Sequence, residues 1–202
     1  MVMFNIEDIV NQVHCADCSE FMRKMPDNSV DMCWTDPPYN VGKDYGVHKD
    51  NLSDKDYLVW CVDLVREMKR ISNNRLCVFV PQKYKLQWWW MLGAGYQEVI
   101  LTRSTEGSYQ KDNLIGQFST ILTNIKSVQY TRNVWHNCQM YGSGFFFKEN
   151  NYGHPGYTSE DITGRVLNAF SLPGQIICDP CAGTGTTGLM AVKMNRKFVC
   201  IE

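Results

Sequence analysis

No apolar run in this 202-residue chain approaches the 18 residues that a membrane-spanning helix needs. The opening segment MVMFNIEDIV has neither the basic stretch nor the long apolar stretch of an export signal. Both absences make the cytoplasm the expected compartment. An excess of positive charge is also missing: 20 Lys and Arg stand against 21 Asp and Glu, for a net charge of −1. A nucleic-acid binder usually carries a basic face. Any phosphate contacts must therefore come from local groups such as Lys83 with Lys85, Lys126 with Arg132, or Lys148, each of which reads more readily as solvated surface. Repeats and low-complexity tracts are lacking too. Nine cysteines, an odd number without an export signal, argue against a disulfide scaffold. Two C-x-x-C pairs, Cys15 with Cys18 and Cys178 with Cys181, have the spacing of a zinc site. Each runs from an apolar strand-like segment into a loop, so the reading is reduced, mostly buried thiols and no metal.

What the chain does contain is an alternation of strand-like and helix-like segments. Strands are predicted over Gln12–Cys15, Val30–Thr35, Leu76–Val80, Val99–Thr102, Phe118–Ile125, Ile176–Cys178 and Lys197–Ile201. Helices are predicted over Ser19–Met25, from Ser53 onward, over Gln82–Leu92, Ser159–Phe170 and Leu189–Met194. Ser53 with Asp56 forms a weak capping box, and Tyr57, Leu58, Cys61, Leu64, Val65 and Met68 then recur at helical spacing. Val41–Leu52 reads as a polar loop, and Tyr130–Gly153 follows no clean period. In the run Trp88-Trp89-Trp90, one or two indoles are expected to be buried. The alternation implies an α/β sheet, largely parallel, with helices on both faces. Ligands in such sheets bind at the carboxyl ends of the strands, where the strand order switches.

Two unusual loops leave strands at that edge. The later one is IICDPCAGTGTTGLM, a strand, a tight turn and a helix. Gly183 and Gly185 permit close backbone approach, and the helix start offers free N–H groups. That arrangement suits a nucleotide-like cofactor or the carboxylate of an amino acid. It is not a phosphate-binding P-loop, since no Gly-Lys-Ser/Thr follows, and its glycine spacing is not the dinucleotide one. About twenty residues on, a strand ends at Glu202, where an acid in nucleoside-binding folds accepts ribose hydroxyls.

The earlier loop is Asp36-Pro37-Pro38-Tyr39-Asn40. Two prolines end the strand and stiffen the backbone. A carboxylate at a fixed position beside a flat ring suits a planar base carrying an NH2 group. Accepting both amine hydrogens favours a pyramidal nitrogen and localises its lone pair for attack on a methyl group, which an activated sulfonium would supply. An Asp-Pro-Pro turn of purely structural role has the same sequence.

These residues resemble a known family. HCADCSEFMRKMPDNSVDMCWTDPPYNVGKDYG and ICDPCAGTGTTGLMAVKMNRKFVCIE are similar to segments of the permuted (beta-group) DNA amino-methyltransferases that modify adenine N6 or cytosine N4. His154-Pro155 before the helix from Ser159 resembles the family's His-Pro motif. The resemblance covers most of the chain outside residues 103–153. It implies a Rossmann-like S-adenosylmethionine-dependent methyltransferase fold with a mostly parallel doubly wound sheet and circularly permuted motif order. The strands ending at Asp36 and Asp179 would then be neighbours. A single domain is expected over residues 1–202, with a target-recognition insertion at about 126–153.

The resemblance also implies roles. Asp36, Pro37, Pro38 and Tyr39 match the catalytic loop, as carboxylate acceptor, carbonyl acceptor and stacking ring. Asp179, Pro180, Cys181, Gly183, Gly185, Thr186 and Thr187 match the cofactor loop. Glu202 matches the ribose acid, and Asp17 the acid near the cofactor's adenine. Asn40, Lys43, Tyr45, Arg132 and Trp135 are the candidate contacts to substrate. S-adenosyl-L-methionine is the implied cofactor and duplex DNA with a flipped base the implied substrate. A homodimer and a cognate restriction endonuclease are partners such a protein can have. Asp at position 36, where cytosine enzymes carry Ser, implies adenine N6, with cytosine N4 or a non-catalytic module binding DNA or cofactor as the alternatives. Three departures stand out: Cys181 occupies a usual aromatic position, Gly-Tyr-Thr-Ser-Glu follows His154-Pro155 where Thr-Gln-Lys-Pro is usual, and the sequence stops at Glu202. Thr158 or Ser159 is the candidate to replace the missing hydroxyl.

Overall fold

The structure is a computed structural model describing residues 2–45, 48–102, 118–127, 133–136 and 157–202. Ten strands and five α-helices are described: β1 (Gln12–His14), α1 (Cys18–Arg23), β2 (Met32–Thr35), β3 (Asp44–Tyr45), β4 (His48–Lys49), α2 (Asp54–Ile71), β5 (Leu76–Val80), α3 (Lys85–Leu92), β6 (Gln97–Thr102), β7 (Phe118–Thr123), β8 (Val134–Trp135), α4 (Glu160–Phe170), β9 (Ile176–Asp179), α5 (Thr186–Lys193) and β10 (Lys197–Ile201). One sheet runs β1-β10-β9-β2-β5-β7-β6-β8, and β3 pairs separately with β4.

Side-chain alternation explains how this sheet is buried. Along β2, Cys33 joins one core while Met32 and Trp34 join the other; along β5, Leu76, Val78 and Val80 face opposite to Cys77 and Phe79. Helices α1, α2 and α3 cover the first face, and α4 and α5 the second. With both faces covered, every residue of β2 and β5 is buried, so these strands read in sequence as continuous apolar runs.

The pairings from β1 to β5 are all parallel, and β7 runs antiparallel between β5 and β6. Beside β9 the order switches: β2 pairs with β9 through Met32–Ile177 and Cys33–Cys178. These are the two strands whose ends carry the unusual loops. The predicted elements appear with boundaries moved by a few residues. One departure is Val41–Leu52, expected as plain loop, which contains the β3–β4 pair. Trp88 is buried, while Trp90 is 87% exposed and Trp89 38%. Among the described residues, no helix is long and apolar enough to cross a membrane.

Candidate active site

The Asp36 loop begins where Pro37 and Pro38 cannot continue β2, and it closes at Asn40, whose φ of 56° lies in the left-handed region that Asn tolerates better than most residues. Its shape is held from several sides. Tyr57 of α2 donates its hydroxyl to the Pro38 carbonyl at 2.9 Å. Asn40 donates Nδ2 to the Leu52 carbonyl at 3.0 Å and to the Tyr84 hydroxyl at 3.1 Å. The Tyr84 hydroxyl in turn donates to Asp54 at 2.7 Å.

Asp36 itself is engaged at both oxygens. The Tyr39 hydroxyl donates to Oδ1 at 2.5 Å, and the Thr158 hydroxyl donates to Oδ2 at 2.6 Å. Burial pushes this carboxyl above its ordinary range, opposed by the two hydroxyl bonds and by the charge of Lys43. The Tyr39 ring lies nearly parallel to Phe79, 6.4 Å between centroids.

The second loop leaves β9 at Asp179, which is 4% exposed. Its Oδ2 accepts the Thr187 hydroxyl at 2.5 Å and its Oδ1 the Cys181 N–H at 3.1 Å. Burial raises its pKa to about 6, with the nearby charge of Asp36 adding to the rise. The turn uses positive φ at Gly183 (54°) and Gly185 (79°), conformations that strain a residue with a Cβ. Gly185 stands at the N-cap of α5 without any side-chain cap, which leaves the helix start open to a ligand. Gly183 donates its N–H to Glu202 Oε2 at 2.7 Å, so the acid at the end of β10 faces the turn. Gly188 lies against Phe198, where a Cβ would meet the ring at 3.0 Å, and this brings α5 close onto β10.

The two loops meet in one pocket, lined by Trp34, Asp36, Thr158, Asp179, Cys181, Ala182, Thr186 and Thr187. Pro180, which follows Asp179, is buried. Tyr45 sits half-buried over the same region. Burial raises its phenol above the ordinary range, helped by the charges of Asp50, Asp36, Cys181 and Glu202. Lys43 lies near Asp36, its own N–H donated to Asp50 at 2.9 Å. Asp17 is exposed and caps α1, accepting the Glu20 N–H at 2.8 Å, beside Ala16, whose N–H reaches the Glu202 carbonyl at 3.1 Å. The structure thus brings together the candidate residues of both loops with Lys43 and Tyr45.

Two expected substrate contacts lie elsewhere. Trp135 is 5% exposed and stacks on Phe170, since β8 pairs into the sheet and turns the indole into the core. Asn40 is 9% exposed and spends its amide on the loop's own frame. Arg132, His154-Pro155 and most of the expected recognition insertion lie outside the described residues. Lys83 and Lys85, considered for phosphate, pair with Asp54 and Glu98. Among the described residues, no three His, Cys, Asp or Glu side chains stand where they could hold one metal ion.

Sequence reasoning missed Asp50, Tyr57 and Tyr84. Asp50 is 3% exposed and accepts backbone N–H groups of Asn40, Val41 and Lys43. A polar residue in a loop gives no periodic signal. The only hint was that Tyr57 begins the apolar face of α2, directed at the loop's side of the core.

The open helix start, the two positive-φ glycines, the buried Asp179 and the acid at Glu202 form a donor and acceptor set that fits an amino-acid nucleoside such as S-adenosylmethionine. The backbone N–H groups suit its carboxylate, and the acids suit its amine and ribose hydroxyls.

Comparison with known proteins agrees with this geometry. A family model described as DNA methylase matches residues 30–95 and 102–202. Type II methyltransferase M.HpaI of Haemophilus parainfluenzae is 26% identical over 219 residues, covering 93% of this chain and 68% of that protein. DNA adenine methyltransferase YhdJ of Escherichia coli (strain K12) is 22% identical, covering 93% and 76%. Among solved structures, PvuII DNA methyltransferase (cytosine-N4-specific) superimposes with a TM-score of 0.71 at 15% identity, covering 95% of this chain and 81% of that one. TTHA0409 of Thermus thermophilus, complexed with S-adenosyl-L-methionine, does so with a TM-score of 0.64 at 18% identity, covering 94% and 88%. At these identities the structural likeness establishes the fold.

Proposed function

The chain belongs to the N6/N4 DNA methylase family, and from that membership we propose that it transfers a methyl group from S-adenosylmethionine to N6 of an adenine flipped out of duplex DNA. The observation that carries this reading is a pocket that Asp36, just past β2, shares with Asp179 at the tip of β9 and with Cys181, Thr186 and Thr187 beyond it.

Asp179, Thr186 and Thr187 of that pocket, with Gly183, Gly185 and Glu202 of the adjoining turn, would hold the cofactor, with Asp17 beyond them toward its adenine. When bound, the cofactor supplies an electrophilic methyl group. The rest of the chemistry belongs to the chain. The Asp36 carboxylate and the Pro37 carbonyl accept the two hydrogens of the target amine, which draws its lone pair out of conjugation. The Tyr39 ring stacks on the base and fixes its plane. Tyr45 on β3 and Lys43 just before it close over the base and screen it from water. Most of the acceleration is positioning and fixed electrostatics.

Adenine is preferred because Asp stands at position 36, and because the relative YhdJ is described as an adenine enzyme. Cytosine N4 is the second reading, favoured by the PvuII neighbour, which is described as cytosine-N4-specific. The deciding experiment incubates the chain with labelled S-adenosylmethionine and duplex DNA and digests the product to nucleosides. Labelled N6-methyladenine supports the proposal, and N4-methylcytosine replaces it with the second reading. No label, with Asp36→Ala behaving as the parent, ends the enzyme reading.

A further inference from the structure

We propose that Thr158 is a positioning residue for Asp36: its hydroxyl pins Oδ2, so that Oδ1 alone faces the target amine, and the Tyr39 hydroxyl holds Oδ1 until a base arrives. The proposal rests on the methyltransferase reading of this site.

The geometry divides the carboxylate between two partners of different origin. Thr158 reaches Oδ2 at 2.6 Å from 122 positions away, whereas Tyr39 reaches Oδ1 at 2.5 Å from three positions away on the same loop. Both distances are those of short hydroxyl-to-carboxylate bonds. The two partners differ in how firmly they are placed. Thr158 directly precedes the cap of α4: Ser159 is 5% exposed and its hydroxyl accepts the Ile162 N–H at 3.2 Å. Ile162 and Thr163 anchor that first turn in the core at 1% and 0% exposure. Thr158 therefore has a fixed backbone, and its β-branched side chain is stiff. Tyr39 is half-buried on a loop, and in the proposed reaction its ring is the group that stacks on the base. Of the two bonds, the Tyr39 bond is the one an incoming amine exchanges. That exchange leaves the count of bonds at Oδ1 unchanged and frees the ring at the moment it is needed.

A hydroxyl bonded to a carboxylate favours the ionised form. Among the described residues, the other charged or titratable groups near Asp36 are Lys43 just before β3, Tyr45 on β3 and Asp179 at the tip of β9. Lys43 favours the carboxylate charge, and Asp179 opposes it. Removing the Thr158 hydroxyl leaves these opposing influences in place, so Asp36 should take its proton at higher pH.

The test uses the full chain carrying Thr158→Val or Thr158→Ser, first without cofactor or DNA. Carbon NMR follows the Asp36 carboxyl through a pH titration. The expected result is a midpoint raised by about one pH unit, a tenfold change in proton affinity, in Thr158→Val and a near-parental midpoint in Thr158→Ser. With labelled S-adenosylmethionine and DNA, Thr158→Val should lower kcat about tenfold while the KM for DNA and the Kd for S-adenosylmethionine stay within twofold. The acid limb of its rate profile should move up with the NMR midpoint. If Thr158→Val fails to fold, Tyr39→Phe supplies the second arm: removing the competitor at Oδ1 should lower the KM for DNA a few-fold. An unchanged midpoint in Thr158→Val, no restoration by Thr158→Ser, or an unchanged KM in Tyr39→Phe overturns the proposal. A raised midpoint in Thr158→Val, with a parent chain that methylates nothing, leaves the Thr158–Asp36 linkage standing and removes the methyltransferase reading instead.

Discussion

Asp50 accepts the backbone N–H of Asn40 at 2.7 Å, from ten positions along the chain and at 3% exposure. Its other oxygen takes the N–H groups of Val41 and Lys43 at 3.0 and 2.9 Å. One buried carboxylate thus gathers the exit of the Asp36 loop, and the backbone that presents Asp36 depends on it. Asp50→Ala leaves three backbone donors without their acceptor. Losing bonds to a charged group costs about 2 kcal/mol or more, so urea denaturation should show at least that loss. A stability that stays within about 0.5 kcal/mol of the parent, the usual range for a surface change, would show that water replaces the carboxylate without cost.

Tyr39 offers a cleaner separation of roles. Tyr39→Phe keeps the ring and should retain methyl transfer within a few-fold. Tyr39→Ala loses the stacking surface, which is worth about 1–3 kcal/mol per base, and should weaken kcat/KM by about tenfold or more. Equal losses in the two variants would place the importance in the hydroxyl.

Asp179 links the cofactor loop to pH. Its pKa in the fold is about 6, against an ordinary 3.8, because it is buried beside Asp36. The folded chain therefore binds this proton more tightly than the unfolded one. The contribution to stability is full below about pH 4 and is lost as pH rises through about 6, an effect of about 3 kcal/mol at neutral pH. Asp179→Asn should flatten the stability-versus-pH curve between about pH 4 and 6 and be at least as stable as the parent at neutral pH. It should also weaken S-adenosylmethionine binding, while in the parent that affinity should fall as pH drops below about 6. Calorimetry on either side of that midpoint checks the second part; equal affinities would remove Asp179 from the cofactor's polar partners.

Gly188 sets the distance between α5 and β10. A Cβ there meets three atoms of the Phe198 ring at 3.0–3.3 Å. Gly188→Val should cost about 2 kcal/mol by overpacking. Gly188→Ala should be nearly neutral, because a gain of about 1 kcal/mol in helix propensity offsets a clash with a ring tip. Adding Phe198→Ala to Gly188→Val should be less destabilising than the sum of the two single changes, which a double-mutant cycle measures. Strict additivity would mean that the ring does not limit the approach.

Much of this was legible in the residues. The strand before Asp36 had to end at Pro37, and β2 does end at Thr35. Ser53 caps α2 with its hydroxyl accepting the Asp56 N–H, as the capping-box spacing implied. The resemblance to the family implied that the strands of Asp36 and Asp179 are neighbours, and they pair directly. Trp135 was not legible: an aromatic in a stretch without period carries no sign of which way it points, and only its strand partner β6 turned it inward. The framing role of Asn40 was not legible either, since its Nδ2 finds Leu52 and Tyr84 only once α2 and the segment before α3 pack beside the loop.

Local pattern was sufficient for the elements, because capping, proline stops, glycine turns and period-two burial act over a few residues, while the permuted order came from the resemblance to the family. Which acids share a pocket, which hydroxyl reaches which oxygen of Asp36, and how one buried Asp50 ties down the loop were decided by packing. Those contacts join positions ten to more than a hundred residues apart, and no short-range rule links them until the sheet brings the strand tips together.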